Sequence, residues 1–286
     1  MTEERPLLAF MGHHKCATRW VNGILRPVCR EMGLRHKVVW HPDMFDQNLS
    51  EWVTQYNIDF LSYTNADYQQ VKALKQVRGF HVVRDPRDIC VSAYFSHLHS
   101  HETKNWPELI EHREKLQSLS REEGLLLDME FVRVHMEEMN SWDYSDPNFI
   151  QVRMESLTAD PYRQMLQIFE FMGILDERRV TTRLSLRHSL SRRLHQFTNG
   201  RVNLNGFSHH LPAERLLGII WENDFASKSG GRRPGQEDRT SHYRKGVPGD
   251  WRNHFKEEHV IYFKENYNSL LLKLGYENDP DWSIGG

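Results

Sequence analysis

The amino-acid sequence predicts an α/β fold, a single domain in which helices flank a central parallel sheet. Short apolar stretches suited to buried strands alternate with stretches of helical periodicity, as in a parallel sheet covered on both faces. No linker divides the 286 residues, which suffice for one domain with a sizeable core. We therefore predict one domain over residues 1–286, with a charged insertion of one or two helices at about 105–140. The strands are predicted near residues 7–11, 36–40, 58–62, 79–84 and 148–153.

The composition argues against several classes of protein. A formal net charge of −2 does not favour a nucleic-acid-binding protein, and no apolar run approaches the ~20 residues that a membrane span requires. The polar start MTEERP lacks the features of a signal peptide. The 3 cysteines show no CxxC pairing and indicate free thiols in a reducing compartment. We expect a cytoplasmic enzyme with no nucleic-acid partner.

The first predicted strand leads into a tight loop and then a helix. Gly12 permits a sharp turn, and residues 18–32 can form a helix with one apolar side. Such a unit points backbone N–H groups and the positive helix end at an anion, and Lys15 adds a mobile charge. The loop is not an ordinary P-loop, because Cys16 follows Lys15 where the G-K-[ST] pattern needs a hydroxyl for magnesium. This difference argues against a magnesium-dependent kinase or ATPase.

The strand at 79–84 ends on a cation and precedes a well-formed helix start. Asp85 is a suitable N-cap, and Pro86 suits the first helical position. A phosphate placed there can meet both the guanidinium of Arg84 and the hydroxyl of Ser92 on the next helix. The alternative is a structural role, in which Arg84 pairs with Asp88 and holds no ligand.

A third segment, late in the chain, combines cations with glycines. Arg244 and Lys245 precede Gly246, so side chains and backbone amides can meet one phosphate together. The alternative is a solvated basic linker. Taken together, the three segments predict one site for a nucleotide that carries phosphates at two positions.

These segments resemble the nucleotide signatures of the sulfotransferases that use 3′-phosphoadenosine 5′-phosphosulfate (PAPS). HKCATRW (14–20) is similar to the PKSGTTW loop of that family, and RDPRDICVS (84–92) is similar to its 3′-phosphate strand–helix unit. RKGVPGDW (244–251) is similar to the late RKGxxGDW signature. The resemblance covers about residues 7–255. It implies a P-loop-like nucleotide-binding sulfotransferase fold, PAPS as donor co-substrate without a metal, and a small-molecule or glycan/lipid acceptor.

The resemblance also implies a role for each matching residue. Lys15 would contact the oxygen that bridges phosphate and sulfuryl group, and Trp20 and Phe225 would lie against adenine. The loop departs from the family pattern at four positions, which are His14, Cys16, Ala17 and Arg19. The residues implied to hold the 5′-phosphate are those of the loop, His14, Lys15, Cys16, Ala17, Thr18 and Arg19. Those implied to hold the 3′-phosphate are Arg84, Ser92, Arg244, Lys245 and Gly246.

The general base that accepts a proton from the acceptor has three candidates. In the cytosolic branch of the family a histidine follows the third strand, but the matching stretch 58–65 contains none. The heparan-type branch has a glutamate near the end of the second strand, where His41 and Asp43 are the nearest equivalents. His97, on the helix after Ser92, is the third candidate, because the unperturbed pKa of histidine lies near neutrality. The sequence does not choose among them.

Several alternatives stay open at this level. The protein could instead be a P-loop-type nucleotide or small-molecule kinase, or a non-catalytic binding protein that retains the fold. A metal site built from His97, His99 and His101 is not expected, because only the outer two share a helix face. The stretch 178–201 holds seven arginines and no acid. It suits an anionic acceptor, a nucleotide lid, an acidic membrane surface or a solvated helix face, and the oligomeric state is also open.

Overall fold

The computed structural model describes residues 5–104, 106–176 and 210–285. Its main sheet has five strands in the order β2-β3-β1-β4-β5. All five predicted strands are present, so the α/β class with a central parallel sheet and flanking helices is confirmed. The arginine-rich stretch 178–201 lies outside the described residues. The strands are β1 (Leu7–Gly12), β2 (His36–Val39), β3 (Phe60–Tyr63), β4 (Val77–Val83) and β5 (Phe149–Arg153).

Twelve α-helices accompany the sheet in the described residues. The first six are α1 (Thr18–Met32), α2 (Leu49–Gln55), α3 (Tyr68–Val71), α4 (Pro86–Phe95), α5 (Pro107–Ser118) and α6 (Arg121–Phe131). The others are α7 (Arg133–Ser141), α8 (Met154–Ala159), α9 (Pro161–Phe171), α10 (Ala213–Glu222), α11 (Phe225–Lys228) and α12 (Glu257–Lys273). No helix in this part of the chain has the length and apolar character needed to cross a membrane.

The central strand explains the first apolar stretch of the sequence. β1 lies between β3 and β4 and runs parallel to both. Ala9, Phe10 and Met11 are fully buried, as expected for a parallel strand whose two faces are covered. The first crossover leads from β1 towards β2, while β4 is followed by β5 on the other side. The carboxyl ends of β1 and β4, where Gly12 pairs with Val82, therefore form a topological switch point, the usual ligand position in open α/β sheets.

The chain divides into two compact units. The first comprises Met1–Gly12, Ala17–Val82 and Asp143–Asp224 and carries the five-stranded sheet with α1–α3 and α8–α10. It also has a small second sheet of β6 (Leu175–Asp176) and β7 (Leu211–Pro212), which the sequence pattern did not predict. The second unit comprises His13–Cys16, Val83–Trp142 and Phe225–Gly286 and carries α4–α7, α11 and α12. The single domain stays a prediction.

The charged insertion at 105–140 contains three helices, α5 to α7, where one or two were predicted. The helical backbone is interrupted at Leu119 and Ser120. Ser120 and Glu123 then form a reciprocal capping box that starts α6. This helix start therefore divides the insertion, although the pattern of charged residues continues across it without interruption.

Candidate active site

The loop after β1 has an unusual backbone. Lys15 and Ala17 have φ angles of 62° and 59°, in the left-handed region that residues with a Cβ rarely adopt. The N–H of Cys16 donates to the carbonyl of His13 over 3.1 Å and closes the turn. A non-glycine residue in this conformation costs on the order of 1–2 kcal/mol. The chain thus tolerates strain at Ala17, which stands where the family loop has glycine.

Two other residues of the predicted loop site, together with Trp20, belong to α1. Thr18 is half-buried and Arg19 is exposed in its first turn, where backbone N–H groups have no acceptor within the helix. Trp20 is buried, and its indole N–H donates to the carbonyl of Asn223 over 2.6 Å. This bond fixes the indole ring within the first unit.

Arg84 lies directly after β4 and is buried in the second unit. Its Nη1 donates to the carbonyl of Lys15 over 3.2 Å, so the first two predicted segments meet. Its Nη2 lies 3.9 Å from Oδ2 of Asp88, which is the pairing considered as a structural alternative. Ser92 is half-buried on the same helix, α4.

Asp88 joins the second predicted segment to the third. Its carboxylate accepts hydrogen bonds from the backbone N–H of Gly249 (2.7 Å) and of Trp251 (2.9 Å). Burial raises the pKa of Asp88, although the Arg84 guanidinium and these two donors oppose the rise. The stretches 84–92 and 244–251, more than a hundred residues apart in sequence, therefore lie side by side.

The cations of the late segment are held by carboxylates. Arg244 donates to Glu237 and to Asp250, each over 2.5 Å, and Lys245 also binds Asp250. Burial opposes the charge of Asp250, but hydrogen bonds from His254, Lys245, Asn253 and Arg244 hold its pKa well below the usual value. These contacts fix both cations on one buried acid.

Gly246 lies against the ring of Phe225. Its φ of 70° is one that glycine adopts freely, and a Cβ there would lie 2.5 Å from Cε2 of Phe225. The guanidinium carbon of Arg232 lies 5.8 Å from the centroid of the same Phe225 ring. The glycine thus allows an aromatic side chain to approach the backbone beside the two cations.

We expect Gly246→Ala to lower the free energy of unfolding by about 1–3 kcal/mol more than Gly235→Ala, because only the first substitution forces a methyl group into Phe225. Gly235 is a matched control, since it also has a positive φ (94°) but has no atom within 4 Å of the added Cβ. Urea denaturation of both variants measures the difference. Equal losses would show that Phe225 moves away without cost.

The three candidates for the general base have very different surroundings. His41 and Asp43 lie after β2 in the first unit, where their side chains are 62% and 76% exposed and pair with each other. His97 is fully buried in the second unit. Its Nδ1 lies 2.7 Å from Oδ1 of Asp128, and its Nε2 lies 3.1 Å from Nε2 of His14. The structure thus brings His97 together with the residue before Lys15 within the second unit, whereas His41 and Asp43 belong to the first unit.

A buried histidine cluster surrounds this contact, and the sequence analysis missed it. His112 is the second imidazole bound to Oδ1 of Asp128, with its Nε2 at 2.7 Å. Burial lowers the pKa of His97 and, together with His135, holds the pKa of His14 well below its usual value. Burial opposes the charge of Asp128 too, but His97 and His112 keep its pKa low. The cluster has no local sequence pattern, because the residues that contact each other are 83, 31 and 16 positions apart.

His97, His112 and Asp128 place their polar atoms within 4.8 Å of one another, which is close enough to consider a metal ion. The separations of 2.7 Å between each imidazole nitrogen and the carboxylate oxygen are hydrogen-bond lengths. A zinc ion lies about 2 Å from each ligand atom, so the ligand atoms lie farther from one another than hydrogen-bonded atoms do. We therefore interpret the group as a hydrogen-bonded network.

Three cationic segments meet in the second unit, through the bond from Arg84 to Lys15 and those from Gly249 and Trp251 to Asp88, and together they form a candidate site for a phosphate-bearing ligand. The sulfotransferase domain model matches residues 8–275, and the chain belongs to this family. The resemblance predicted from the three motifs is thereby confirmed.

The chain is also similar to solved structures of other proteins. The mouse sulfotransferase SULT7A1 complexed with PAP shares 16% identity, over 94% of this chain and 84% of that chain, with a TM-score of 0.49. A retinol dehydratase in complex with androsterone and inactive cofactor PAP shares 14% identity, over 94% and 81%, with a TM-score of 0.46. No curated protein sequence matches the chain.

Proposed function

We propose that this protein transfers a sulfuryl group from PAPS to a hydroxyl or amine of an acceptor. Family membership supports the reaction class. The observation that carries the proposal is the pair of hydrogen bonds from Gly249 and Trp251 to Asp88, since they set the late cations beside the helix that Arg84 precedes. A nucleotide with phosphates at two positions requires this convergence. The acceptor is a small molecule, a glycan or a lipid.

The residues present fit the nucleotide. Arg84, Arg244 and Lys245 supply the charge for a 3′-phosphate, and Ser92 and Gly246 supply a hydroxyl and a backbone amide nearby. Phe225 lies against Gly246, and its flat aromatic face suits adenine. The loop from Lys15 to Arg19 would hold the 5′-phosphate.

PAPS supplies an already activated sulfuryl group, and the chain's own residues orient it and stabilise charge. Lys15 would place its ammonium at the oxygen that becomes negative as the sulfur–oxygen bond breaks. The transfer parallels phosphoryl transfer, in which positioning and electrostatic stabilisation provide most of the catalysis. The acceptor loses its proton to a base in the cluster that contains His97, which is buried beside a carboxylate, whereas the side chains of His41 and Asp43 are exposed and pair with each other.

A cytoplasmic location also fits the chain. Cys16, Cys29 and Cys90 are buried thiols that form no disulfide, and burial raises the pKa of both Cys29 and Cys90. Such thiols persist in a reducing compartment.

Binding of the doubly phosphorylated product, 3′,5′-diphosphoadenosine (PAP), tests the proposal. We expect PAP at 100 times its Kd to raise the free energy of unfolding by about 2.7 kcal/mol with a chelator present. AMP, which lacks the 3′-phosphate, is the matched control and should stabilise much less. Protection by ATP with magnesium, but not by PAP, would instead identify a kinase.

Labelled-sulfate transfer from PAPS to a panel of hydroxyl and amine acceptors completes the test. PAP binding without any transfer across the panel would favour the non-catalytic binding protein.

A further inference from the structure

We infer that His14 is the residue that takes the proton from the acceptor, and that His97 and Asp128 form a relay behind it. The inference rests on the proposed sulfuryl transfer and deepens it, because it names the atoms that move the proton. It stands on the juxtaposition of His14, His97 and Asp128 and on the tautomers that their hydrogen bonds impose.

Hydrogen-bond chemistry assigns each proton in the chain. The carboxylate of Asp128 can only accept, so Nδ1 of His97 must donate to it. A neutral His97 then has a lone pair on Nε2, and Nε2 of His14 must donate across the 3.1 Å contact. This leaves Nδ1 of His14 as the basic atom at the end of the chain. His112 donates to the same Asp128 oxygen and holds the carboxylate in place.

The open end of this hydrogen-bonded relay, Nδ1 of His14, belongs to the loop that we propose holds the sulfuryl donor. His14 immediately precedes Lys15, so the proton acceptor and the cation that stabilises the leaving oxygen are consecutive residues. Within the described part of the chain, Nδ1 of His14 has no hydrogen-bond partner. The atom is also not fully shielded from solvent. It is therefore open to a ligand. His97 has no such freedom, since both of its ring nitrogens are engaged.

In the proposed relay, each proton that one group releases is taken up by the next group. The acceptor oxygen forms its bond to sulfur and gives its proton to Nδ1 of His14. Nε2 of His14 passes its own proton to Nε2 of His97, whose positive charge then faces the carboxylate of Asp128. The bond from sulfur to the bridging oxygen breaks, and its electron pair remains on the phosphate beside Lys15. The positive charge thus ends next to the one buried acid of the cluster.

Other groups around the two rings bear on their protonation. These are Lys15, His101, His112, Arg113, Asp128 and His135. Burial acts first on His14 and His97, and the neighbouring Lys15 adds to it, so the pKa of both rings is lowered. A base with a lowered pKa is neutral and competent at pH 7, and activity falls only as the pH drops through that lowered pKa, which lies below the ordinary histidine value.

The test compares Asp128→Asn and His14→Gln with the control variant His99→Gln. His99 is an exposed histidine of the same turn as His97, and it takes no part in the proton relay. We expect kcat to fall roughly 100-fold in the first two variants and to stay within about twofold in the control. In Asp128→Asn the KM for PAPS should change little. Its acid limb should move to lower pH, because the charge that favours imidazolium is gone. A purely structural Asp128 would change the melting temperature without moving that limb.

A second measurement does not depend on turnover. Nitrogen-15 NMR of the histidines should show His97 with its proton on Nδ1 in the unaltered protein. The opposite tautomer of His97 would overturn the relay even if the enzyme is active, and so would an unchanged kcat and acid limb in a folded Asp128→Asn variant. If the unaltered protein transfers no sulfate but His97 has the expected tautomer, the proposed function fails and the hydrogen-bond assignment survives. Should Asp128→Asn not fold, the tautomer and His14→Gln decide.

Discussion

Replacing Lys15 by alanine should lower kcat by roughly a hundredfold or more, which corresponds to about 3 kcal/mol of lost transition-state stabilisation. The reason is that its ammonium meets a charge that develops only as the sulfur–oxygen bond breaks. An interaction made mainly in the transition state affects kcat far more than ground-state binding. Single-turnover sulfate transfer and PAP calorimetry, run on the same variant, measure the two quantities.

The matched control for this variant is Lys37→Ala, which removes an exposed lysine from β2. It should leave both kcat and the Kd for PAP unchanged. If Lys15→Ala weakens PAP binding as much as it slows transfer, Lys15 acts as a simple anion contact. If it changes neither quantity, the role assigned to the loop is wrong.

Arg84→Ala should raise the Kd for PAP by roughly 10- to 100-fold, because a hydrogen bond to a charged group contributes about 1.5–3 kcal/mol. The loss should be smaller for AMP, which has no 3′-phosphate for Arg84 to bind. The variant also removes the donor to the carbonyl of Lys15 and the ion pair with Asp88. We therefore expect a lower melting temperature as well. Titration calorimetry with both nucleotides separates the two effects.

Arg121→Ala is the control for charge alone, since Arg121 is a partly exposed arginine of the same unit that pairs with Glu122. It should leave both Kd values unchanged. Equal losses for PAP and AMP in Arg84→Ala would contradict a 3′-phosphate role. They would instead favour a purely structural Arg84–Asp88 pair.

The sequence predicted the strands and the cationic segments because each is encoded locally. The apolar stretch of β1 and the Asp85-Pro86 start of α4 are both readable within a few residues. The strands β6 and β7 were missed, since two residues carry no periodicity. The capping box at Ser120 was also overlooked, although its Ser-x-x-Glu pattern was visible.

The base could not be chosen from sequence for a different physical reason. His41 and Asp43 were selected by their position after β2, and position along a chain carries no information on burial. The relation of His97 to Asp128 depends on α6 lying against α4, which only the tertiary packing decides. His14 was read as part of the nucleotide loop, and its contact with His97 joins residues 83 positions apart. Polar contacts between residues far apart in the sequence could therefore not be predicted from the sequence alone.

The cations implied for the 3′-phosphate are already balanced by acids of the chain. Arg84 faces Asp88, and Arg244 and Lys245 face Glu237 and Asp250. Such a group exerts little long-range pull on polyanions, because its field cancels beyond a short distance. Selection among the many phosphorylated metabolites of a cell then depends on the shape of the nucleotide at close range.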